Sequence, residues 1–263
     1  KMEVFETGYD SADTHEVFSF LNGAGNPQMI AGGISGFVRR PVIADVNTDN
    51  MKEAILPNEG SPRYYIFDST SLSVVATYSL SITIGFPSTT IVEDIIANLP
   101  GKEILTTWPS FVPAPTYLTL HSVGSAPSYP FAQHWQKVIS DTPAVGSLHI
   151  LPANLDGTGD LEILWSYYND LIDRWMTEVI RAIDGQTLYA IDNRMLCLDY
   201  YGQLFDAVVN IDSDLNSEIL LCEVYGTAGL PVRLYAYDWM GTMLVPKWDR
   251  PASPMGWNEL ASV

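Results

Sequence analysis

The chain has 263 residues, 47% of them hydrophobic, which is enough for one large domain or two smaller ones with a packed core. Its 13 Lys and Arg against 31 Asp and Glu give a net charge of −18, which argues against a nucleic-acid partner because phosphate contacts need clustered Lys and Arg. The acidic balance favours cations as partners, although simple solvation of an acidic surface explains the bulk of the charge equally well.

Strand signals start at the beginning of the chain. Residues 2–21 form two strand-like runs around a polar loop. Residues 45–53, DVNTDNMKE, form an acidic turn between PVIA and AILP, and residues 63–78 predict a hairpin. The stretch 69–92 carries no charge, but its apolar residues alternate with a period of two. This period predicts a strand and not a membrane-spanning segment.

The second half of the chain repeats this layout. Residues 95–108 keep two strand-like runs and Glu103, but the turn between them is shortened to NLPGK. Acidic turns return as NLDGTGDLE (154–162) and NIDSDLNSE (210–218), each between strand-like runs. Further hairpins are predicted after each of these three turns; they cover residues 116–131, 178–191 and 233–248.

The repeated unit is four strands with an acidic turn between the first and second. Repeats of about 40–50 residues with four strands are typical of propeller blades. We therefore predict an all-β fold, a single β-propeller domain over residues 1–263 with about five four-stranded blades, or part of a larger propeller. The approximate repeats are 1–40, 41–92, 93–145, 146–203 and 204–263. The chain begins with Lys1 and not with Met, which suggests processing or a longer parent chain.

Both cysteines, Cys197 and Cys222, lie in apolar, strand-like runs. Two buried free thiols and one disulfide are both consistent with this placement, since free Cys is commonly a core residue. Aromatic residues after the turn at 154–162, such as Trp165 and Tyr167, serve either packing between blades or a surface on which sugars stack.

The three acidic turns align position by position. Positions 1, 3, 5 and 9 hold a side-chain oxygen in every copy, and position 7 offers its backbone carbonyl. In this order (1, 3, 5, 7, 9) the candidate metal ligands are Asp45, Asn47, Asp49, Met51 and Glu53; Asn154, Asp156, Thr158, Asp160 and Glu162; and Asn210, Asp212, Asp214, Asn216 and Glu218.

Calcium fits this donor set, because it takes six to eight oxygen ligands, whereas magnesium keeps several waters. Carboxylates about 5 Å apart repel by roughly 3 kcal/mol at an effective dielectric of about 20, and a divalent ion reverses that cost. The closing acid stands at position 9 and no helices flank the turn, so it is not an EF-hand. The alternative is an ordinary Asx turn, in which Asp and Asn bond their own backbone. We expect about three calcium sites, with 154–162 the weakest because Thr158 is a poor donor.

These loops, with the pattern D-x-D-x-D-G-x-x-D/E between two strands, resemble the FG-GAP and VCBS-type repeats of integrin-α-like β-propellers. The resemblance covers most of the chain as a repeat, with the nine-residue loops as its specific part, while the FG and GAP tripeptides are not kept. It implies a calcium-stiffened propeller, secreted or displayed at the cell surface, that serves binding, adhesion or assembly.

No catalytic motif stands out. The four histidines, His149 among them, are scattered without H-E-x-x-H, and residues 32–37 do not form a nucleophile elbow. No P-loop or other cofactor-binding motif is found. The sequence therefore favours a non-catalytic extracellular module for adhesion, assembly or contact with a glycan or protein, possible self-assembly included. The alternatives are a polysaccharide lyase or glycoside hydrolase on a calcium-bearing propeller, and a structural subunit of an extracellular filament.

Overall fold

A computed structural model of the chain shows an all-β architecture of antiparallel sheets. It describes residues 41–58, 62–68, 73–82, 87–109, 115–125, 127–139, 149–169, 172–196, 207–211, 217–225 and 230–251, with backbone alone at 224–225 and 230–232, and the backbone of three earlier strands. Every regular element in these ranges is a strand. The prediction of an all-β fold built from four-stranded sheets is thereby confirmed.

The chain divides into two compact units. The first unit comprises Lys1–Asp94 and Leu99–Pro143. Its first sheet has the strands β1 (Glu3–Tyr9), β2 (Thr14–Leu21) and β3 (Gln28–Ser35). The next has β4 (Val42–Ala44), β5 (Glu53–Asn58), β6 (Arg63–Asp68) and β7 (Ser73–Ser79). The last has β8 (Thr90–Glu93), β9 (Glu103–Trp108), β10 (Thr116–Val123) and β11 (Phe131–Ile139).

The second unit comprises Ile95–Asn98 and Ala144–Val263. One sheet has the strands β12 (His149–Ala153), β13 (Glu162–Asn169), β14 (Arg174–Arg181) and β15 (Thr187–Asp192). The other has β16 (Arg194–Leu196), β17 (Val208–Val209), β18 (Glu218–Tyr225), β19 (Leu230–Trp239) and β20 (Leu244–Pro251). Both β16 and β17 pair with β18, so together they take the place of the first strand, and β18 counts as the second strand of this sheet. The sheet thus takes in three residues, those of β16, that precede the predicted boundary at 204.

Burial changes from strand to strand within a sheet. The second strands β5 and β9 are buried along their whole length, and β13 is buried at all but its last residue. They read as near-continuous apolar runs, which is the pattern of strands covered on both faces. The outer strands β7 and β15 are largely half-buried or exposed. In these three sheets the second strand therefore anchors the sheet in the core of its unit.

Both units have their own hydrophobic core. In the first unit Ile55, Tyr64, Ile66 and Trp108 pack together, and the rings of Tyr64 and Trp108 meet edge to face at 5.6 Å. In the second unit one cluster contains Leu164, Val179, Leu221 and Trp239. Trp165, Tyr167 and Tyr168 are 0%, 5% and 2% exposed, so they pack in the interior and offer no surface for stacking sugars.

A β-bulge recurs at one place in four sheets. In each of these sheets the pairing between the third and fourth strands shifts by one residue. On the third strand, the shift begins two positions before the residue that pairs with the first residue of the second strand. A bulge leaves an extra residue unpaired and re-aims its side chain. The extra residues are Val75, His134, Leu188 and Lys247. All four are half-buried.

Candidate metal-binding loops

A buried glutamate is the first residue of the second strand in four sheets. Its exposed fraction is 0% in three of them and 7% in the fourth. The four residues are Glu53, Glu103, Glu162 and Glu218. Buried carboxylates need hydrogen bonds or a counter-charge, because burial disfavours the ionised form. The glutamate that the sequence alignment placed at position 9 is therefore a buried acid at a fixed structural position.

The glutamate closes all three acidic turns in the same way. Its Oε2 accepts a hydrogen bond from the backbone N–H of position 2, seven residues earlier. The distances are 3.0 Å from Val46 to Glu53, 2.9 Å from Leu155 to Glu162 and 2.5 Å from Ile211 to Glu218. Each carboxylate thus points into its own loop.

In the loop 45–53, Asp45, Asn47, Asp49 and Glu53 form one hydrogen-bonded group. The two carboxylate oxygens of Asp45 accept the N–H groups of Asp49 (3.2 Å) and Asn50 (2.9 Å). The Nδ2 of Asn47 donates to Asp49 Oδ2 at 3.2 Å and to Glu53 Oε1 at 3.5 Å. One point in the loop is therefore within reach of two carboxylates.

The backbone of this loop turns tightly at two left-handed residues, Thr48 (φ 60°) and Asn50 (φ 68°). Asn tolerates this conformation, whereas a β-branched residue such as Thr is strained in it. The N–H of Met51, the residue at position 7, donates to Asp49 Oδ1 at 2.7 Å. Side-chain oxygens thus hold the turn from inside, as in an Asx turn.

Negative charge accumulates around Glu53. Burial raises the pKa of Glu53 from 4.5 to about 7, the Val46 amide opposes the rise, and the carboxylates of Asp49, Asp45 and Asp68 add to it. None of the described charged groups that shift this pKa is a cation. Among the described residues, the charges that act on Glu53 are therefore all negative.

Asp68 was not among the candidate ligands from the sequence. It faces Glu53 directly across the β5–β6 ladder, and its Oδ2 accepts a hydrogen bond from the Tyr129 hydroxyl at 3.1 Å. Like charges directly opposite each other destabilise a sheet unless something neutralises them. A signal was present in the sequence, because RYYIFD (63–68) and RLYAYD (233–238) place Asp68 and Asp238 at the same position of their hairpins.

The loop 154–162 is held by fewer internal bonds. Asn154 Nδ2 donates to the Thr158 carbonyl at 2.7 Å, and the Thr158 N–H donates to Asp156 Oδ1 at 2.8 Å. Asp160 is turned away, with its Oδ1 accepting the Ala97 N–H at 3.0 Å. Burial raises the pKa of Glu162, and the charges of Asp156 and Asp160 add to the rise. Glu162 itself faces Arg181 across the β13–β14 ladder.

Only the ends of the loop 210–218 are described, since Asp212, Asp214 and Asn216 lie outside the described residues. Asn210 and Ile211 are exposed at its start, and Glu218 is fully buried at its end. Here the Lys247 ammonium lies 2.7 Å from Glu218 Oε1 and 2.9 Å from Asp238 Oδ1. A cation from the chain itself meets the closing glutamate in this sheet.

The donor sets fit a hard divalent cation by their chemistry. All are carboxylate, amide or hydroxyl oxygens, and the acids at Glu53 and Glu162 are buried among other acids. Among the residues that the structure describes, no group of three or more His, Cys, Asp or Glu side chains converges as a ready-made metal site. In the loop 45–53 the acids face loop amides, so ion binding would exchange some of these bonds for coordination.

The shortened turn before Glu103 serves as a packing site. Gly101 has φ +96°, and a Cβ there would lie 2.5 Å from the Val46 carbonyl oxygen. The same carbonyl accepts the Lys102 N–H at 3.1 Å. A glycine is thus required where this turn meets the loop 45–53.

Two histidines that could serve catalysis are buried. Burial lowers the pKa of His149 to about 4, and its ring lies parallel to that of Trp175 at 6.5 Å. Burial likewise lowers the pKa of His121 to about 4, and its ring stacks on Phe131 at 4.6 Å. Both are neutral core residues near neutral pH.

Cys222 is disulfide-bonded, whereas Cys197 lies outside the described residues. The sequence left this bond undecided. In the part of the chain that the structure describes, no helix has the length and hydrophobicity needed to cross a membrane.

No protein-family model matches the chain, and no curated protein matches it either. Among solved structures it is similar to the crystal structure of the rhamnogalacturonan lyase YesW, with a TM-score of 0.45 and 13% sequence identity. The match covers 93% of this chain and 43% of the lyase chain, so this chain spans less than half of that neighbour's length. A similarity of this size carries no inference about activity.

Proposed function

We propose that the protein is a non-catalytic, calcium-binding β-propeller module that acts outside the cell in adhesion, assembly or binding of a glycan or protein partner. One observation carries the proposal. Three acidic turns each end in a buried glutamate, at the first residue of the second strand, whose carboxylate closes the loop onto the position-2 amide. Calcium would bind beside this carboxylate and stiffen the turn.

The recurrence of the turn supports a propeller. Four antiparallel sheets repeat the same order of strands, with the same bulge between the third and fourth. Such repetition of one four-stranded unit is the construction of propeller blades. On this proposal the chain has about five blades, or forms part of a larger propeller.

Electrostatics supports calcium at the loops 45–53 and 154–162. Their closing glutamates have raised pKa values because they are buried among acids. A bound divalent ion would hold these carboxylates ionised, since an opposite charge nearby favours the charged form. Asp45, Asn47, Asp49, the Met51 carbonyl and Glu53 would hold the ion in the first loop, with Asp68 behind Glu53.

An extracellular location is supported by the disulfide at Cys222, because disulfides persist mainly in oxidising compartments. Extracellular modules bind calcium with dissociation constants of about 10⁻⁴–10⁻³ M, which suits loops whose acids are partly engaged by amides. The net charge of −18 also favours cation binding.

Thermal unfolding and bead adhesion together test the proposal. The protein is melted after dialysis against EDTA and again with calcium in excess, and each occupied site should add about 2.7 kcal/mol at 100 times its dissociation constant. Beads coated with the protein are then compared for clustering, and for attachment to cells, with calcium and with EDTA. An unchanged melt after verified calcium removal would refute the metal sites. Equal attachment in both conditions would refute the calcium-dependent binding role.

A further inference from the structure

Two sheets have a pair of acids at the start of the second strand, and the described charged neighbours of the two pairs differ. Glu53 faces Asp68, and Glu218 faces Asp238, at the same register position of their ladders. Beside Glu218 and Asp238 lies the Lys247 ammonium, at 2.7 and 2.9 Å. Beside Glu53 the described charged groups that shift its pKa are all acids.

The difference lies at the bulge residue. Lys247 is the extra residue of the β19–β20 ladder, and Val75 is the extra residue at the equivalent place of the β6–β7 ladder. In the β14–β15 ladder this position is Leu188. The sheets of the loops 45–53 and 154–162 thus carry an aliphatic side chain where the sheet of the loop 210–218 carries a cation.

We infer that Lys247 is a built-in cation that takes the place of calcium at the closing glutamate of the loop 210–218. The ammonium meets Glu218 Oε1, the oxygen left over after Oε2 accepts the Ile211 amide. In the loop 45–53 the contact described for the corresponding oxygen of Glu53 is with the neutral Asn47 amide, at 3.5 Å. This inference rests on the proposed calcium binding for the other two loops, and it revises the expected number of sites from three to two.

The burial of the ion pair between Lys247 and Glu218 explains why a lysine can take the place of a calcium ion. Glu218 is fully buried, and the side chains of Lys247 and Asp238 are 22% and 20% exposed. Water screens such a pair much less than a pair at the surface. A calcium ion that binds in this loop would have to displace the Lys247 ammonium or bind despite the electrostatic repulsion between the two cations.

Reciprocal substitutions test the inference by calcium titration calorimetry. Lys247→Leu copies the residue of the equivalent bulge beside the loop 154–162, and Val75→Lys installs a lysine beside the loop 45–53. We expect two calcium sites in the unmodified protein and one site fewer in Val75→Lys. In Lys247→Leu we expect a third site, because the loop 210–218 should bind calcium at least about tenfold more tightly than it does in the unmodified protein. Lys247→Arg, which keeps the charge, should bind as the unmodified protein does.

Melting in EDTA gives a readout that does not depend on calcium. Removing one partner of a buried ion pair is strongly destabilising, so Lys247→Leu should lower the melting temperature by about 5–10 °C while Lys247→Arg stays close to the unmodified protein. Val75→Lys should raise the melting temperature in EDTA, because it places a cation among the acids around Glu53.

The outcomes separate this inference from the proposed function. Three sites in both the unmodified protein and Lys247→Leu would overturn the inference and leave calcium binding intact. No site in any variant would refute the proposed calcium sites. The melting temperatures in EDTA would then decide alone. A lower melting temperature in Lys247→Leu only would support Lys247 as the counter-cation of Glu218, and equal melting temperatures in all variants would overturn the inference.

Discussion

Replacing Glu53 with Gln separates the charge of the closing carboxylate from its hydrogen bond. The amide oxygen of Gln can still accept the Val46 N–H that Glu53 Oε2 accepts at 3.0 Å. The change removes one negative charge from a group in which Asp49, Asp45 and Asp68 all act on Glu53. We expect Glu53→Gln to stabilise the metal-free protein above neutral pH and to abolish the gain from calcium at this loop.

The magnitude follows from the pKa shift. The pKa of Glu53 rises from 4.5 to about 7, which at 1.36 kcal/mol per unit corresponds to about 3 kcal/mol. Because Asp49 and its neighbours in the loop are exposed to water, screening reduces this to about 1–2 kcal/mol. Because the folded state holds the proton more tightly, this stability is fully present below about pH 4.5 and is lost as the pH rises through about 7.

Urea unfolding in EDTA at pH 5 and pH 8 measures the contribution of Glu53 to the free energy of unfolding. The difference between Glu53→Gln and the unmodified protein should be small at pH 5 and should favour the variant by about 1–2 kcal/mol at pH 8. Comparing the two proteins cancels other titrating groups, such as His149 with its pKa of about 4. Excess calcium should reverse the order at pH 8, since only the unmodified loop keeps its closing charge.

Asp94→Asn is the matched control, because Asp94 is an exposed acid of the same unit that lies just after β8, outside the strand ladders. It should show neither the pH-dependent gain nor the loss of response to calcium. The same free-energy difference at pH 5 and pH 8 for Glu53→Gln would refute the reasoning, because it would mean that the Glu53 carboxylate ionises as readily in the folded chain as in the unfolded one.

Two further predictions concern the packing of the loops and the disulfide. Gly101→Ala should destabilise the protein by about 2–3 kcal/mol in urea unfolding, because φ +96° strains any side chain and a Cβ would lie 2.5 Å from the Val46 carbonyl. Gly157→Ala, with φ +72° and open space around it, should cost only about 1 kcal/mol, and equal costs would contradict the steric argument. Reducing the disulfide of Cys222 should cost about 3 kcal/mol, and a melt insensitive to reductant, or a reductant effect that persists in Cys222→Ser, would contradict it.

The sequence alone was sufficient to predict the recurrent turn, because all residues of the turn lie within one short segment of the chain. Position 9 is always a glutamate followed by an apolar run, and the structure places it at the first residue of the second strand each time. An aromatic-rich run, a polar or glycine turn and a second strand-like run likewise predicted the hairpins that became β6–β7 and β19–β20. Side-chain oxygens within nine residues must share one turn, so alignment alone could find them.

Cross-strand neighbours needed the structure. Asp68 meets Glu53 through the ladder register, and Lys247 meets Glu218 through a bulge that shifts the register by one residue. A one-residue shift moves a side chain to the other face of a sheet, so the alternation of the sequence could not place Lys247. Asp160, a candidate ligand by spacing, bonds the amide of Ala97, a residue 63 positions earlier in the chain that the pattern of a nine-residue turn does not reveal.

The chain has a net charge of −18, and on the proposed function its buried acids are neutralised by two means, a lysine and a bound ion, that respond differently to the surroundings. A tethered ammonium such as that of Lys247 is present at every calcium concentration and is lost only when β20 separates from β18 and β19. A bound ion obeys mass action, so its contribution falls with the free calcium concentration. Calcium withdrawal should therefore loosen the loops 45–53 and 154–162 while the start of β18 keeps its structure. Hydrogen exchange at the Val46, Leu155 and Ile211 amides, which bond the three glutamates, would report this order directly.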